Sequence, residues 1–266
     1  MKKLALSMCL LPILGVTVMN AQVSKNGGIS QEMLQQIVKT QPQSSADRAL
    51  VNAIAGNKID DLATNYKNSA TMTTFFSVET PKQSIHDQKS SGRCWMFSGL
   101  NVLRANFAKA HEQKQTVEFS QAYLFFYDQL EKANLMLQGV IDNAKKPMDD
   151  TRVQFFFKNP ISDGGTFCGV ADLAEKYGLV PMSVMPETYS SDNTRTMARL
   201  VSSKLREYGL ELRSMVAAGK KEQAIKARKT EMLSTIYHML TLTLGEPVKE
   251  FTYTFTDKDG KPVGET

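Results

Sequence analysis

Cysteine and histidine are scarce in this sequence, with three of each in 266 residues, and tryptophan occurs once. Cys9 falls inside a leader-like segment, so the rest of the chain holds only Cys94 and Cys168. Two cysteines are too few for a disulfide-framed fold, and a chain of this length buries a core without such staples. Long apolar runs are missing after the first residues, which excludes later membrane-spanning helices. No composition bias marks a disordered or fibrous chain: 42% of residues are apolar and 22% charged, as in a globular protein.

Met1-Lys2-Lys3 is a short positive stretch, and Leu4 to Val18 is an apolar run interrupted only by Ser7, Pro12, Gly15 and Thr17. Ala21 is a small residue placed for cleavage before Gln22. The segment 1–21 therefore reads as a secretory signal peptide, and the expectation is an exported protein, periplasmic or secreted, without stable membrane insertion. An uncleaved anchor is the competing reading. Cys9 lies inside the run rather than at its end, which argues against a lipid attachment site.

Losing Lys2 and Lys3 lowers the formal charge from +5 by two. The remaining excess gathers between Arg199 and Lys229, where nine basic residues face only Glu207, Glu211 and Glu222. Such a segment can bind nucleic acid, although a solvated helix face produces the same pattern.

Periodicity predicts a mainly helical chain with few strands. Ile29 to Ala55 reads as two short helices parted by the polar stretch 40–45. Tyr66 to Ile85 reads as strand or extended chain. From Cys94 to Ala110 the residues Phe97, Leu100, Leu103 and Phe107 recur at helical spacing, and Phe119 to Leu137 forms a second, aromatic-rich helix. Lys145 to Pro160 reads as turn-like at both ends around Phe155-Phe156-Phe157. A helix over Thr166 to Tyr177 is closed by Gly178 and Pro181. One or two long helices occupy Met197 to Leu244, then Phe251 to Phe255 alternates like a strand before a turn at Asp257 to Gly260.

The segment from Asp87 to Trp95 carries the chemistry. A thiol in the first turn of a helix faces unpaired N–H groups and the positive end of the helix dipole, which favour reactive thiolate over thiol. Cys94 holds that position. Gly92 lets the backbone bend close beside it, and Gln88, six residues upstream, can turn its carboxamide N–H towards the same point. With the Cys94 backbone N–H it would form an oxyanion hole, while Trp95 supplies an apolar wall. A buried structural cysteine beside a solvent-facing glutamine, or a Cys94–Cys168 disulfide, are the competing readings.

Gln88-x5-Cys94-Trp95 resembles the nucleophile region of papain-like cysteine peptidases. The run from Asp87 to Phe97, continuing through Asn101-Val102-Leu103-Arg104, is more similar to the bleomycin hydrolase (aminopeptidase C) branch. Asp163-Gly164-Gly165 followed by Glu175-Lys176-Tyr177-Gly178-Leu179-Val180-Pro181 resembles the papain-like glycine loop and its helix. Pro186-Glu187-Thr188-Tyr189 and Phe251 to Lys261 fit the same branch. The resemblance implies an α+β papain-like fold, represented here by its helical, nucleophile-bearing half with a helical insertion, the β-rich half being largely missing. It divides the chain into an N-terminal helical extension at 22–73, a nucleophile subdomain at 74–195, an insertion at 196–250 and the start of the β-rich half at 251–266.

The same resemblance implies thiol-dependent, aminopeptidase-like hydrolysis of peptide substrates through an acyl-enzyme on Cys94, with Gln88 in the oxyanion hole. Asp163, Gly164, Gly165 and Trp95 would line the substrate, Gly165 through its backbone. No cofactor and no metal is implied. Family members assemble into rings, so a homo-hexamer is expected, and some bind nucleic acid. Papain's paired cysteines are replaced by Ser91 and Ser162, which fits the disulfide-free branch and leaves Cys94 and Cys168 as free thiols, Cys168 as a packing residue.

A cysteine peptidase also needs an imidazole and a residue to orient it. His86 has no orienting partner in sequence, and His111 follows the nucleophile helix. His238 stands at a papain-like distance from Cys94 but in helical context, and no asparagine follows it. The base and its asparagine are therefore expected beyond residue 266, leaving this chain inactive or weakly active alone. A catalytically inactive homologue that binds peptides or nucleic acid is the alternative.

Overall fold

The computed structural model describes residues 28–42, 44–69, 71–80, 82–111, 117–257 and 259–263. The leader expected at 1–21, with Cys9, lies outside them. The chain divides into two units, Met1–Phe75 and Phe76–Thr266.

The first unit contains α1 (Gln31–Lys39), α2 (Ser45–Gly56), α3 (Ile59–Ala63) and α4 (Tyr66–Ser69). Each of the two longer helices begins where a serine can cap it. Ser30 accepts the Met33 N–H, and Ser44 with Asp47 forms a reciprocal capping box. The anticipated polar stretch separates α1 from α2. No residue of α1, α2 or α3 is buried, and Met33, Leu34, Ile37 and Val38 stay exposed.

The second unit contains α5 (Cys94–Ala110), α6 (Gln121–Asp142), α7 (Thr151–Lys158), α8 (Phe167–Tyr177), α9 (Tyr189–Asp192), α10 (Thr194–Ala217) and α11 (Glu222–Leu244). Its strands β1 (Phe255–Thr256) and β2 (Pro262–Val263) form an antiparallel hairpin, Phe255 facing Val263. The hairpin turns on Asp257, whose Oδ1 accepts the N–H groups of Asp259 and Lys261. Phe251 to Thr254, expected as strand, finds no partner strand among the described residues. Helices thus make up nearly all the regular structure, as the helical half of a papain-like fold requires.

The central helix is α6. Ser120 caps it by accepting the Tyr123 N–H, and Leu124, Phe125, Phe126, Met136, Leu137 and Val140 are buried along it. It runs five residues beyond Leu137 because Val140 continues the apolar repeat. Against it pack α10, through Val201, Leu205 and Leu212, and α11, through Met232, Ile236, Leu240 and Leu244 at four-residue steps. The long stretch 197–244 is broken into two helices at Gly219, whose φ of +65° suits glycine. Among the described residues no helix is long and apolar enough to cross a membrane.

Tyr66–Ser69, expected as strand or extended chain, is instead the short helix α4. Residues 145–160 are turn-like at both ends, as expected, and helical between them: Asp150 Oδ1 accepts the N–H groups of Arg152 at 2.9 Å and Val153 at 3.4 Å, starting α7. The three phenylalanines are carried by this helix, and Phe156 lies against Gly139 of α6.

Helices α5 and α8 approach unusually closely. A Cβ on Gly99 would stand 2.7 Å from Val170 Cγ2, and Val170 is fully buried. The glycine therefore brings the first turns of the two helices side by side, the arrangement on which the site depends.

Candidate active site

Two loops meet where α5 and α8 begin. The first, 87–93, is closed on itself. Gln88 Nε2 donates to Ser91 O at 2.6 Å, and Ser91 Oγ donates back to Gln88 O at 2.6 Å. Lys89 takes a left-handed conformation (φ +53°), stabilised by Asp87 Oδ1 accepting its N–H at 2.8 Å. One N–H of the Gln88 carboxamide is thereby taken, and the other meets no acceptor among the described residues.

Arg93 is the last residue before α5 and is completely buried. Its Nη1 lies 2.7 Å from Glu187 Oε2, its Nε donates to Ser91 Oγ at 3.0 Å, and its guanidinium stacks near the rings of Phe97 and Phe125. A charged side chain directed into the core pins the backbone from which Cys94 emerges. Cys94 itself is exposed, and its thiol is free. The Cys94 N–H meets no acceptor among the described residues, as expected for the first turn of a helix.

The second loop, 162–165, is strapped to the first. Asp163 Oδ2 accepts the Gly92 N–H at 2.7 Å and the Thr194 hydroxyl at 2.7 Å, while Asp163 O accepts Trp95 Nε1–H at 2.8 Å. Burial works against the Asp163 carboxylate, but the bonds from Thr194 and Gly92 outweigh it and hold its pKa below the usual value. Asp163 braces the two loops with bonds to both, whereas its neighbours Gly164 and Gly165 are exposed. At Gly92 a Cβ would come 2.5 Å from Asp163 Oδ1, and at Gly165 one would come 2.6 Å from Trp95 Cε2. Only glycine permits either approach. The Trp95 ring packs against Gly165 and Gly169.

Cys168 departs from its expected role. It is exposed on α8, because the buried side of that helix is built from Val170 and Leu173. Both thiols are free, so the disulfide reading is excluded.

Histidine placement is also informative. His86, which has no partner apparent in sequence, has one in space: Glu118 Oε1 lies 2.9 Å from its Nε2. Ser84 Oγ donates to the same oxygen at 2.5 Å. That bond, with His86 and Arg104, holds the Glu118 carboxyl below its usual pKa despite burial. His111 packs its ring 4.4 Å from Phe107 and 5.1 Å from Phe255, and His238 is exposed on α11. No side chain among the described residues hydrogen-bonds the Cys94 sulfur. Nor do three or more His, Cys, Asp or Glu side chains group to hold a metal ion among them.

The basic segment is largely engaged. Arg206 and Arg213 donate to backbone carbonyls of 157, 158, 143 and 146, Arg228 pairs with Glu211 and Glu231, Lys204 with Glu207, and Lys229 donates to Gln138. Four of the nine charges thus reach across to other elements, and Lys204 is paired within α10.

Sequence reasoning missed Arg93, Glu187, Thr194 and the α6 residues Asp128, Gln129 and Lys132, which hold the second loop. A signal for the last group was present: a charged i, i+4 pair, Asp128 and Lys132, in an otherwise aromatic helix.

Residues 28–263 match the model of the Peptidase C1-like family. An aminopeptidase C of Lactobacillus delbrueckii subsp. lactis is 39% identical over 232 residues, covering 87% of this chain and 51% of the relative. A bleomycin hydrolase of Homo sapiens is 40% identical over 185 residues, covering 69% of this chain and 40% of the relative. The crystal structure of PepW from Lactobacillus rhamnosis HN001 superimposes with a TM-score of 0.82 at 36% identity, covering 88% of this chain and 52% of that one. The chain spans about half the length of the curated relatives it matches.

Proposed function

Because the chain belongs to the Peptidase C1-like family, we propose that it carries the nucleophilic half of an aminopeptidase-like cysteine peptidase. The carrying observation is the free, exposed Cys94 thiol at the start of α5, clamped between the Gln88–Ser91 loop and the Asp163–Gly165 loop. In this reading the Cys94 thiolate adds to a peptide carbonyl. The negative charge that develops on the carbonyl oxygen is met by the Cys94 N–H and the remaining Gln88 N–H. Collapse expels the amine and leaves an acyl group on sulfur, which water then removes. Gly165 pairs its backbone with the substrate chain.

The imidazole that activates the thiol and protonates the amine, and its orienting asparagine, come from sequence these 266 residues do not include. His86 is engaged with Glu118, His111 with two aromatic rings, and His238 stands exposed on α11. We further assign export to the leader at 1–21, and a homo-hexameric ring to the assembled protein. The alternative is a catalytically inactive homologue that binds peptides. It draws on a different observation, that no described side chain hydrogen-bonds the Cys94 sulfur.

Iodoacetamide separates the two readings. Cys94 and Cys168 are both exposed and both lie in the first turn of a helix, so access and the helix dipole are matched within one molecule. In the whole protein, where only Cys94 gains an imidazolium partner, Cys94 is expected below neutral pH to be alkylated on the order of 10-fold faster than Cys168. Equal, slow alkylation of the two thiols would favour the inactive homologue.

A further inference from the structure

The loop 162–165 belongs to no helix or strand, yet each of its first three carbonyls is held by a side chain. Ser162 O accepts from Gln129 Nε2 at 2.9 Å and from Lys132 Nζ at 2.8 Å. Asp163 O accepts from Trp95 Nε1 at 2.8 Å, and Gly164 O accepts from Lys132 Nζ at 2.7 Å. The third acceptor of Lys132 is Asp128 Oδ2 at 2.7 Å, one turn earlier on α6. An ammonium has three N–H bonds, and here all three are directed at acceptors. The ammonium also stands 5.4 Å from the centroid of the Trp95 ring. Asp128 in turn accepts from Gln129, which is fully buried, at 2.8 Å. Burial pushes the Asp128 carboxyl upward in pKa while Lys132 pulls it down.

The consequence lies one residue further on. With the carbonyls of 162, 163 and 164 all turned to protein donors, the exposed Gly165 keeps both its N–H and its C=O free of protein partners among the described residues. Two carbonyls two residues apart are fixed by one cation, and that fixes the direction in which Gly165 presents its backbone. We infer that Lys132, seated on Asp128, is a positioning residue that sets the glycine loop for pairing with an extended peptide. It acts on substrate binding without touching the reacting atoms. The inference rests on the peptidase reading of Cys94 and adds a determinant of substrate affinity on a helix remote in sequence.

The number of acceptors singles out this lysine. A hydroxyl or carboxamide cannot reach Ser162 O, Gly164 O and Asp128 at once. Arginine carries enough N–H groups to bridge two carbonyls, so Lys132→Arg should preserve much of the effect. Lys132→Met removes it but leaves Asp128 in the protein without its cation, and the double variant Asp128→Asn with Lys132→Met removes that orphaned charge.

The test compares two reagents on the same thiol. A peptidyl chloromethyl ketone needs the glycine loop to bind before it alkylates Cys94, whereas iodoacetamide needs only the thiolate. In Lys132→Met and in the double variant, the second-order rate constant for the peptidyl reagent should fall about 10-fold, the size of one or two misplaced hydrogen bonds. The iodoacetamide rate should stay within about twofold, and Lys132→Arg should recover most of the peptidyl rate. Loss of both rates together in both variants would assign Lys132 a general structural role and overturn the inference. An unchanged peptidyl rate would overturn it as well. A wild-type protein in which Cys94 shows no preference for the peptidyl reagent removes the peptidase reading, and the inference with it.

Discussion

Replacing Cys94 by alanine is expected to lower peptide hydrolysis by roughly 10⁴- to 10⁶-fold, while Cys168→Ser leaves it within a factor of about two. The asymmetry follows from placement, since the two thiols are alike in exposure and in helix position. Around Cys94 stand an unpaired backbone N–H, the Gln88 carboxamide and a loop drawn in by Asp163; around Cys168 there is only the outer side of α8. Without the sulfur no covalent intermediate forms, and the oxyanion donors and binding loop act alone. Hydrolysis of fluorogenic aminoacyl and dipeptidyl amides by the wild-type protein and both variants measures the contrast. Retention of more than a few per cent of wild-type turnover in Cys94→Ala would remove the nucleophile assignment.

The second large effect is on stability and concerns the residue beside the nucleophile. Arg93 has no exposed surface, and its ion pair with Glu187 is formed at 2.7 Å where Glu187 keeps 21% of its side chain in contact with solvent. Replacing Arg93 by methionine leaves Glu187 facing the core without its cation. It also removes the guanidinium from between Phe97 and Phe125, and the donor to Ser91 Oγ. Deleting one partner of a buried pair costs about 3–5 kcal/mol, a large share of the roughly 5–15 kcal/mol that holds a domain folded. For a unit of this size the melting temperature should fall by about 10 °C or more. Lysine is no substitute, because a compact ammonium cannot stack between two rings and bond Ser91 and Glu187 together. Thermal unfolding followed by circular dichroism decides the point; an unchanged midpoint in Arg93→Met would mean that the pair contributes nothing net.

What the sequence made legible was local. Gln88, Gly92, Cys94 and Trp95 lie within one turn-and-helix segment, so their grouping could be read from spacing alone. The helices α5, α6 and α8 and the helical stretch of α10 and α11 were expected from pattern, and the structure keeps their bounds within a few residues. The parts that escaped are pairings across distance. Lys132 meets loop carbonyls 30 and 32 residues away, Thr194 meets Asp163 across 31, and His86 meets Glu118 across 32. Periodicity carries no information on such contacts.

Residue type misled in two further cases. Arginine is the residue least expected with no exposed surface, so Arg93 attracted no notice, although Phe97 one turn later offered a ring to stack on. Cysteine is commonly buried, which gives Cys168 the look of a packing residue, whereas the apolar positions of α8 leave it on the opposite side. At α7 the turn residues before Asp150 masked its capping role. In each case the competing cue was real, and packing or hydrogen bonding decided against it.

The central claim is that catalysis passes through an acyl group on the Cys94 sulfur. The direct measurement is acid-quenched mass spectrometry after rapid mixing with an aminoacyl ester, followed by digestion with trypsin. Cleavage after Arg93 and Arg104 isolates a peptide whose only thiol is Cys94. The account predicts a transient mass increase equal to the acyl group on that peptide, rising before steady turnover and absent from the peptide containing Cys168. Steady hydrolysis with no acyl group on the Cys94 peptide, or with the group found on Cys168, would contradict it.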